Sequence, residues 1–372
     1  MSVRSVPFFN YQAVFKAKED EYMAVLRDVL ARGAYIMQRD LSEFEDNLKS
    51  FLKVKHVFGV ADGTNAIILG LRACGVGPGD EVILPSHTYV ATAAAVQLVG
   101  GTPVPVDIRA DDHMLDAAAA EAAISPRTKA IIAVQVNGRT CDMDALRDVA
   151  DRHGVMVLED AAQGLGSRFK GKCAGTFGKF GTFSFYPAKL LGCFGDGGAV
   201  VTDDDAIAER LGLLRDHGRN ADGQVVEWGT NSRLDNMQAA ILDFKLKTYD
   251  EDMARRRQIA AAYQSLLGDL EQLRLPPAPD ADPRHFDVYQ NYEIEADRRD
   301  ELRAFLKERG IGAMPQWAGT PIHGFRELGF DMRLPVTDRF FERCLMIPMN
   351  MSLSDDDVAY VADNVREFYR RA

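Results

Sequence analysis

Lys189 ends the run Ser184-Phe185-Tyr186-Pro187-Ala188-Lys189 and is followed by Gly192-Cys193-Phe194-Gly195-Asp196-Gly197-Gly198. An amine attacks a carbonyl only in its neutral form, so a Schiff-base lysine must be buried or placed beside another cation. Most lysines are solvated surface groups instead. This one stands among aromatic, proline and glycine residues rather than in a polar run. The glycines permit positive φ or close backbone approach, and a plain hairpin would use them equally well.

Other segments offer partners for such an amine. Leu158-Glu159-Asp160-Ala161-Ala162-Gln163 closes an apolar run with two successive acids. Ligands of open α/β sheets collect beyond the carboxyl ends of the strands, which puts Asp160 where it can meet a charged ligand; capping the next helix is the even alternative. Gly63-Thr64-Asn65-Ala66 lies between an apolar run at 57–60 and a helical pattern. A helix start with free N–H groups attracts an anion, although an N-cap at Thr64 explains the segment as well. Asn231 and Arg233 precede a helix beginning near Asn236, suited to an anion or simply to a capped start. Tyr89, in Pro85-Ser86-His87-Thr88-Tyr89, offers an aromatic face to a flat ligand or fills a core. His87, His217 and His323 have no metal-ligand spacing, and the five scattered cysteines contain no C-x-x-C pair, so neither a metal nor a disulfide framework is expected.

The elements that must hold these residues alternate. Strand-like runs at 81–84, 130–136, 155–159, 181–185 and 199–202 are separated by helical patterns at 65–74, 89–98 and 143–153. That alternation predicts an α/β fold with a mostly parallel sheet covered on both faces. Asp203-Asp204-Asp205 is placed to cap a helix. After about residue 245 the character changes: one long helix at 245–267, a proline-rich break at 276–283, a strand at 288–295, a helix at 298–309 and a last helix at 354–368 capped by Ser354. The expected division is a large domain at 1–245, with an N-terminal arm, and a smaller α+β domain at 246–372. The formal net charge of −11 argues against a nucleic-acid partner. No apolar run is long enough for a bilayer and the N-terminus lacks a signal-peptide core, so a cytoplasmic, membrane-free protein is expected.

Taken in order from about residue 10 to the C-terminus, these segments resemble the DegT/DnrJ/EryC1/StrS family of pyridoxal-phosphate sugar aminotransferases. The likeness rests on Gly63-Thr64-Asn65-Ala66, Glu159-Asp160-Ala161-Ala162-Gln163, Ser184-Phe185-Tyr186-Pro187-Ala188-Lys189, Gly195-Asp196-Gly197-Gly198-Ala199 and Asn231-Ser232-Arg233-Leu234-Asp235. The resemblance implies a fold-type I transferase with a mixed, mostly parallel seven-stranded sheet, a smaller C-terminal domain, and a homodimer with shared active sites. It implies that Lys189 holds pyridoxal 5'-phosphate through a Schiff base and that Asp160 pairs with the ring nitrogen. It places Gln163 near the ring hydroxyl, Tyr89 on the ring face, and Thr64, Asn65 and Ser184 at the phosphate, with Asn231 arriving from the second subunit. The implied reaction is ping-pong transfer of nitrogen from glutamate to a keto sugar, usually nucleotide-linked, of the 4-keto-6-deoxy or 3-keto type.

Two segments depart from the family pattern: Gln135-Val136-Asn137-Gly138-Arg139 replaces a His-Leu-Tyr-Gly-like stretch, and residues 314–323 differ from His-Tyr-x-x-Pro-Leu-His. Both lie where the family meets its sugar, making Asn137, Arg139, His217, Trp317 and His323 the candidate substrate contacts. Three rivals remain. A pyridoxal-phosphate sugar dehydratase is disfavoured because relatives of that kind carry histidine in place of the lysine. A non-catalytic regulator that binds the cofactor is disfavoured by the absence of a basic patch or helix-turn-helix pattern. A nicotinamide dehydrogenase is set aside because residues 61–66 read Ala-Asp-Gly-Thr-Asn-Ala and not Gly-x-Gly-x-x-Gly.

Overall fold

A computed structural model of the chain describes residues 4–371. Seven strands form its central sheet: β1 His56–Val60, β2 Glu81–Pro85, β3 Thr102–Val106, β4 Thr128–Val134, β5 Met156–Asp160, β6 Gly181–Ser184 and β7 Gly198–Thr202. Their spatial order is β1-β7-β6-β5-β4-β2-β3. Only β7 runs against its neighbours, so the other six point their carboxyl ends to one edge. This is the mostly parallel α/β sheet expected from the alternating runs.

The central strands carry apolar residues on both faces through their middles because both faces are covered. Alternation sends Leu84, Ile132 and Leu158 into one core with the helices Gly63–Ala73 and Val90–Leu98. Ile83, Ile131 and Val157 enter the opposite core against Met143, Leu146 and Val149 of the helix Met143–His153. Asp204 caps the helix Asp205–Arg215 as expected, accepting from the N–H groups of Ala206 and Ile207. The helix after β1 is capped by Asp62 and not by Thr64, which lies within its first turn. Asp62 is the residue whose extended backbone (φ −168°, ψ 175°) lets its carboxylate reach back to the Asn65 N–H.

Two C-terminal elements differ from the sequence expectation. The helix expected at 245–267 begins only at Tyr249, because the helix that starts at Asn236 runs on to Leu246 and residues 247–248 separate the two. Thr248 leaves helical geometry there, and three acids (Asp250, Glu251, Asp252) open the second helix at its positive end. The strand expected at 288–295 begins only at Tyr292 and runs Tyr292–Ala296, because Tyr289 takes φ +50° and residues 288–291 pack instead against Gly138. That strand sits between Leu273–Arg274 and Cys344–Ile347 in an antiparallel sheet. The last helix, Asp355–Arg370, has the expected Ser354 cap, completed by Asp357 as a capping box. The helix Tyr249–Leu267 serves two cores: Tyr249 and Met253 pack with Phe183, Phe185 and Val201 of the large sheet, while Ile259, Tyr263 and Leu267 pack with Ile294 and Leu345.

Candidate active site

β5 carries both acids, and the two-residue period of a strand separates their tasks. Glu159 turns to the loop before β6, where it accepts from Gln135 Nε2 at 2.8 Å and from the N–H groups of Gly175, Phe177 and Gly178 at 2.7, 2.5 and 2.9 Å. It is a fully buried structural acid. Asp160, 6 % exposed, faces the other way. Its Oδ2 accepts from Thr92 Oγ1 at 2.7 Å and its Oδ1 from the Ala162 N–H at 3.1 Å. Thr92 belongs to the helix Val90–Leu98 and shares a further 2.7 Å hydrogen bond with Thr88 Oγ1. Burial pushes the Asp160 carboxyl above its ordinary range, while the Thr92 hydroxyl, the Ala162 N–H and Lys189 act in the opposite sense.

Lys189 lies in the turn between β6 and β7, with its N–H donating to Tyr186 O at 2.8 Å. Although the residue as a whole is only partly covered, burial of its amine lowers the pKa to about 8, with the Asp160 carboxylate opposing that shift. An amine so placed holds a useful neutral fraction near pH 7, as carbonyl attack requires. The two sequence-predicted catalytic groups therefore lie within electrostatic reach of one another at the carboxyl edge of β5 and β6.

The same edge presents an anion cradle. With Asn65 N–H and Nδ2 both donating to Asp62, at 2.8 and 2.7 Å, the Gly63 and Thr64 N–H groups at the helix start have no protein acceptor among the described residues. Ser184 stands against this turn: a Cβ added at Gly63 would lie 2.8 Å from Ser184 Cβ and 3.3 Å from its Oγ. Glycine at 63 thus allows the helix start to approach the end of β6. Tyr89 precedes the helix Val90–Leu98 and is 57 % exposed, which removes the reading of a core tyrosine. Its nearest aromatic neighbour is Trp317, 6.5 Å away between ring centroids.

Toward the C-terminal part of the chain, a buried polar network begins at Gln163, whose Oε1 accepts from the Asn137 N–H at 2.8 Å. Asn137 Nδ2 donates to Glu293 at 2.6 Å, and Asn291 donates to Asn137 Oδ1 at 2.8 Å. Gln316, with its amide nitrogen turned to Glu293, donates at 2.7 and 2.9 Å. His87 Nε2 lies 3.3 Å from the same carboxylate. Asn137 and Trp317 both occupy left-handed backbone, at φ +55° and +47°. Arg139 has its charge balanced within the protein, by Asp287 at 2.6 Å and Asp112 at 3.5 Å. His323 is fully engaged as well: Nδ1 meets Ser86 Oγ and Nε2 meets Asp338 Oδ1, each at 2.7 Å. His217 and Asn231 sit apart, exposed at the two ends of a loop carrying Trp228, which is 90 % exposed. Asn231 lines a concavity of about 410 Å³ with Ala61, Asp196 and Arg233, and makes no side-chain hydrogen bond to Lys189 or Asp160 among the described residues.

A match to the family model described as the DegT/DnrJ/EryC1/StrS aminotransferase family extends over residues 16–366. The chain belongs to that family. Among its relatives, the dTDP-3-amino-3,4,6-trideoxy-alpha-D-glucose transaminase of Streptomyces venezuelae is 42 % identical over 98 % of this chain and 97 % of its own. A pleiotropic regulatory protein of Geobacillus stearothermophilus is 38 % identical over 98 % and 99 %. The crystal structure of S. venezuelae DesV superposes with a TM-score of 0.95 at 41 % identity, covering 99 % of each chain. Three residues of this family member's site were not anticipated from sequence: Thr92, Glu293 and Gln290, the last of which contacts the Lys189 turn. Thr92 left a faint signal, as the one hydroxyl in the apolar first turns of its helix, four residues after Thr88. Glu293 and Gln290 left none, because a strand pattern masked them.

Among the described residues no group of three or more His, Cys, Asp or Glu is arranged to hold a metal ion. Nor is any helix of the described residues long and apolar enough to cross a membrane.

Proposed function

We propose that this chain is a pyridoxal 5'-phosphate-dependent aminotransferase that moves nitrogen from glutamate to a nucleotide-linked 3-keto sugar in amino-sugar biosynthesis. The observation that carries the reading is that Lys189, with the pKa of its amine lowered by burial to about 8, and the buried carboxyl of Asp160 share one edge of the sheet with the Gly63–Thr64 anion cradle. These residues fit the cofactor. Bound there, it supplies an electron sink for the carbon that loses a proton.

The chain's own groups supply the rest. Lys189 Nζ would hold the cofactor and, as a free amine, would take the donor's α-proton and redeliver it as general base and acid. Asp160 would pair with the ring nitrogen and keep it protonated, a positive charge that favours the carboxylate form of Asp160. The Gly63 and Thr64 N–H groups, with the Thr64 and Ser184 hydroxyls, bind the phosphate at a helix N-terminus. Asn65 supports that turn through Asp62. Tyr89 would cover one ring face, and Gln163, whose amide oxygen accepts from the Asn137 N–H, would contact the ring hydroxyl.

Asn231 and His217 act across a homodimer, completing the site of the second subunit. This reading is supported by the exposure of His217 and Asn231 and of Val225, Val226 and Trp228 on the loop between them. The large domain ends at residue 245 and the smaller one begins at 246, so the sugar lies between Tyr89 and Trp317, at the join. The name of the S. venezuelae relative supports dTDP and carbon 3.

The test is a screen of 3-keto and 4-keto sugars linked to dTDP, UDP or GDP, with glutamate as donor and the mass of the sugar as readout. Nitrogen should appear on a dTDP-linked 3-keto sugar, and glutamate should bleach the cofactor's visible band. Lys189→Ala should abolish turnover; normal steady-state transamination in that variant refutes the assignment. Cofactor binding with no nitrogen transfer to any of these sugars would favour the regulatory alternative.

A further inference from the structure

The turn that bears Lys189 belongs to no strand or helix, yet three of the four backbone polar groups flanking the lysine Cα are held. Lys189 N–H is bonded to Tyr186 O within the turn. Two others go to one side chain from the far part of the chain: Gln290 Nε2 donates to Ala188 O at 2.8 Å, and Gln290 Oε1 accepts from the Leu190 N–H at 2.7 Å. One amide therefore brackets Lys189, taking the peptide group before it and the peptide group after it. Gln290 is 5 % exposed.

Gln290 is itself held from behind. Arg256 NH1 donates to the carbonyls of Tyr289, Gln290 and Met349 at 3.0, 2.8 and 2.9 Å. This buried guanidinium forms no ion pair among the described residues, and burial lowers its pKa to about 10. A charge kept in the interior without a carboxylate is costly, and one nitrogen of this guanidinium is shared among three carbonyls, tying residues 289 and 290 to Met349. On the other side Gly138 comes so close that a Cβ there would lie 2.8 Å from the N atoms of both Tyr289 and Gln290. The left-handed backbone of Tyr289 lets residues 288–291 leave the strand and present the glutamine.

We propose that Gln290 is a positioning residue for the catalytic amine, a two-point clamp through which the C-terminal part of the chain sets where Lys189 stands. The proposal rests on the aminotransferase reading for its kinetic consequence, but the clamp acts on the protein with or without cofactor. A glutamine present only to satisfy a core would need no particular pair of partners. This one spends both ends of its amide on the residues either side of a single lysine. Release of the clamp leaves Ala188 O and Leu190 N–H without partners and frees the turn to shift, and an error of about 1 Å in a reacting group can cost on the order of a hundredfold in rate.

Gln290→Met keeps the length and removes both hydrogen bonds; Gln290→Glu keeps the shape and the acceptor for Leu190 N–H. Asn364→Leu, which removes a buried amide bonded to Tyr360 O in the last helix, reports what loss of any such group does. Two measurements are made. In cofactor-free protein, acetylation of Lys189 is followed against pH by mass spectrometry. In cofactor-loaded protein, kcat and the KM for glutamate are separated. Gln290→Met should raise the Lys189 labelling midpoint by one pH unit or more and lower kcat at least about tenfold with KM changed less than about threefold. Gln290→Glu should fall between it and the wild type, and Asn364→Leu should change neither. Should Gln290→Met fail to fold, the Glu variant decides. The proposal is overturned by Gln290 variants that fold and leave both midpoint and kcat unmoved, or by Asn364→Leu giving the same changes. If borohydride fixes no cofactor on wild-type Lys189, the functional reading is at fault, while the cofactor-free labelling still judges the clamp.

Discussion

Thr92→Val removes one hydroxyl and almost no volume, and so isolates what the helix Val90–Leu98 does for Asp160. The hydroxyl donates to Asp160 Oδ2 at 2.7 Å. A hydrogen bond to a charged group contributes about 1.5–3 kcal/mol, equivalent to roughly one to two pKa units. The lower half of that range applies, because the Ala162 N–H and Lys189 continue to favour the carboxylate. Asp160 is needed as an anion and is ionised above its pKa. Burial has already raised that pKa, and loss of the hydroxyl raises it further. The acid limb of the kcat profile should therefore move up by about one pH unit, with the plateau above it nearly unchanged. Near the limb, cofactor affinity should weaken roughly tenfold, since the carboxylate that pairs with the ring nitrogen is less populated. Spectroscopic titration of the cofactor and steady-state rates from pH 5 to 9 measure both. Thr92→Ser retains the hydroxyl and should restore the limb. A folded Thr92→Val with wild-type limb and wild-type affinity would refute the role given to this bond.

Two other perturbations follow from single contacts. Gly63→Ala sets a Cβ 2.8 Å from Ser184 Cβ, so urea melts should show about 1–3 kcal/mol of lost stability together with weaker cofactor binding; wild-type values for both would exclude the close approach as a requirement. His285 is buried beside Phe169, and burial together with Arg139 lowers its pKa from 6.5 to about 4. The unfolded chain therefore takes up a proton that the folded one refuses, and stability is lost as pH falls from 6.5 toward 4. His285→Phe should remove that component, its melting temperature diverging from wild type below pH 6.5; parallel curves would show that His285 does not titrate this way.

Much of the fold was legible because burial on both faces writes continuous apolar runs into β2, β4 and β5, and because Ser354 and Asp204 are strong caps placed ahead of helical patterns. Lys189 and Asp160 were legible for a related reason: Asp160 ends one strand and Lys189 stands in the turn after another, and the carboxyl ends of both strands can be located. What failed were distinctions of geometry within a segment. Thr64 and Asp62 are both good cap residues, and the choice depends on which backbone is extended. Residues 288–291 keep strand-like composition while Gly138 and Arg256 pull them off the ladder. Gln290 and Thr92 act on groups 100 or so and 68 residues away in sequence, contacts for which local pattern holds no record.

The two ends of the site differ in how they are made. At the cofactor end, Asp160, Thr92, Ser184 and the Gly63 turn all come from the large sheet and its helices, with partners in regular structure. The other end is built from residues 135–139 and 314–323. Asn137 and Trp317, one from each segment, hold left-handed backbone, and Ala318 beside Trp317 does so too at φ +58°. Such conformations cost of order 1–3 kcal/mol each and persist only where the surroundings over-determine them. Here the surroundings are the buried Glu293 carboxylate, which draws in Asn137, Gln316 and His87 from three separate stretches of chain. Asn137 also orients Gln163, which links this network to the Lys189 and Asp160 end. On the proposed function, substitutions at Asn137, Glu293 and Gln316 are expected to change the choice of acceptor more than the chemistry of Lys189 and Asp160.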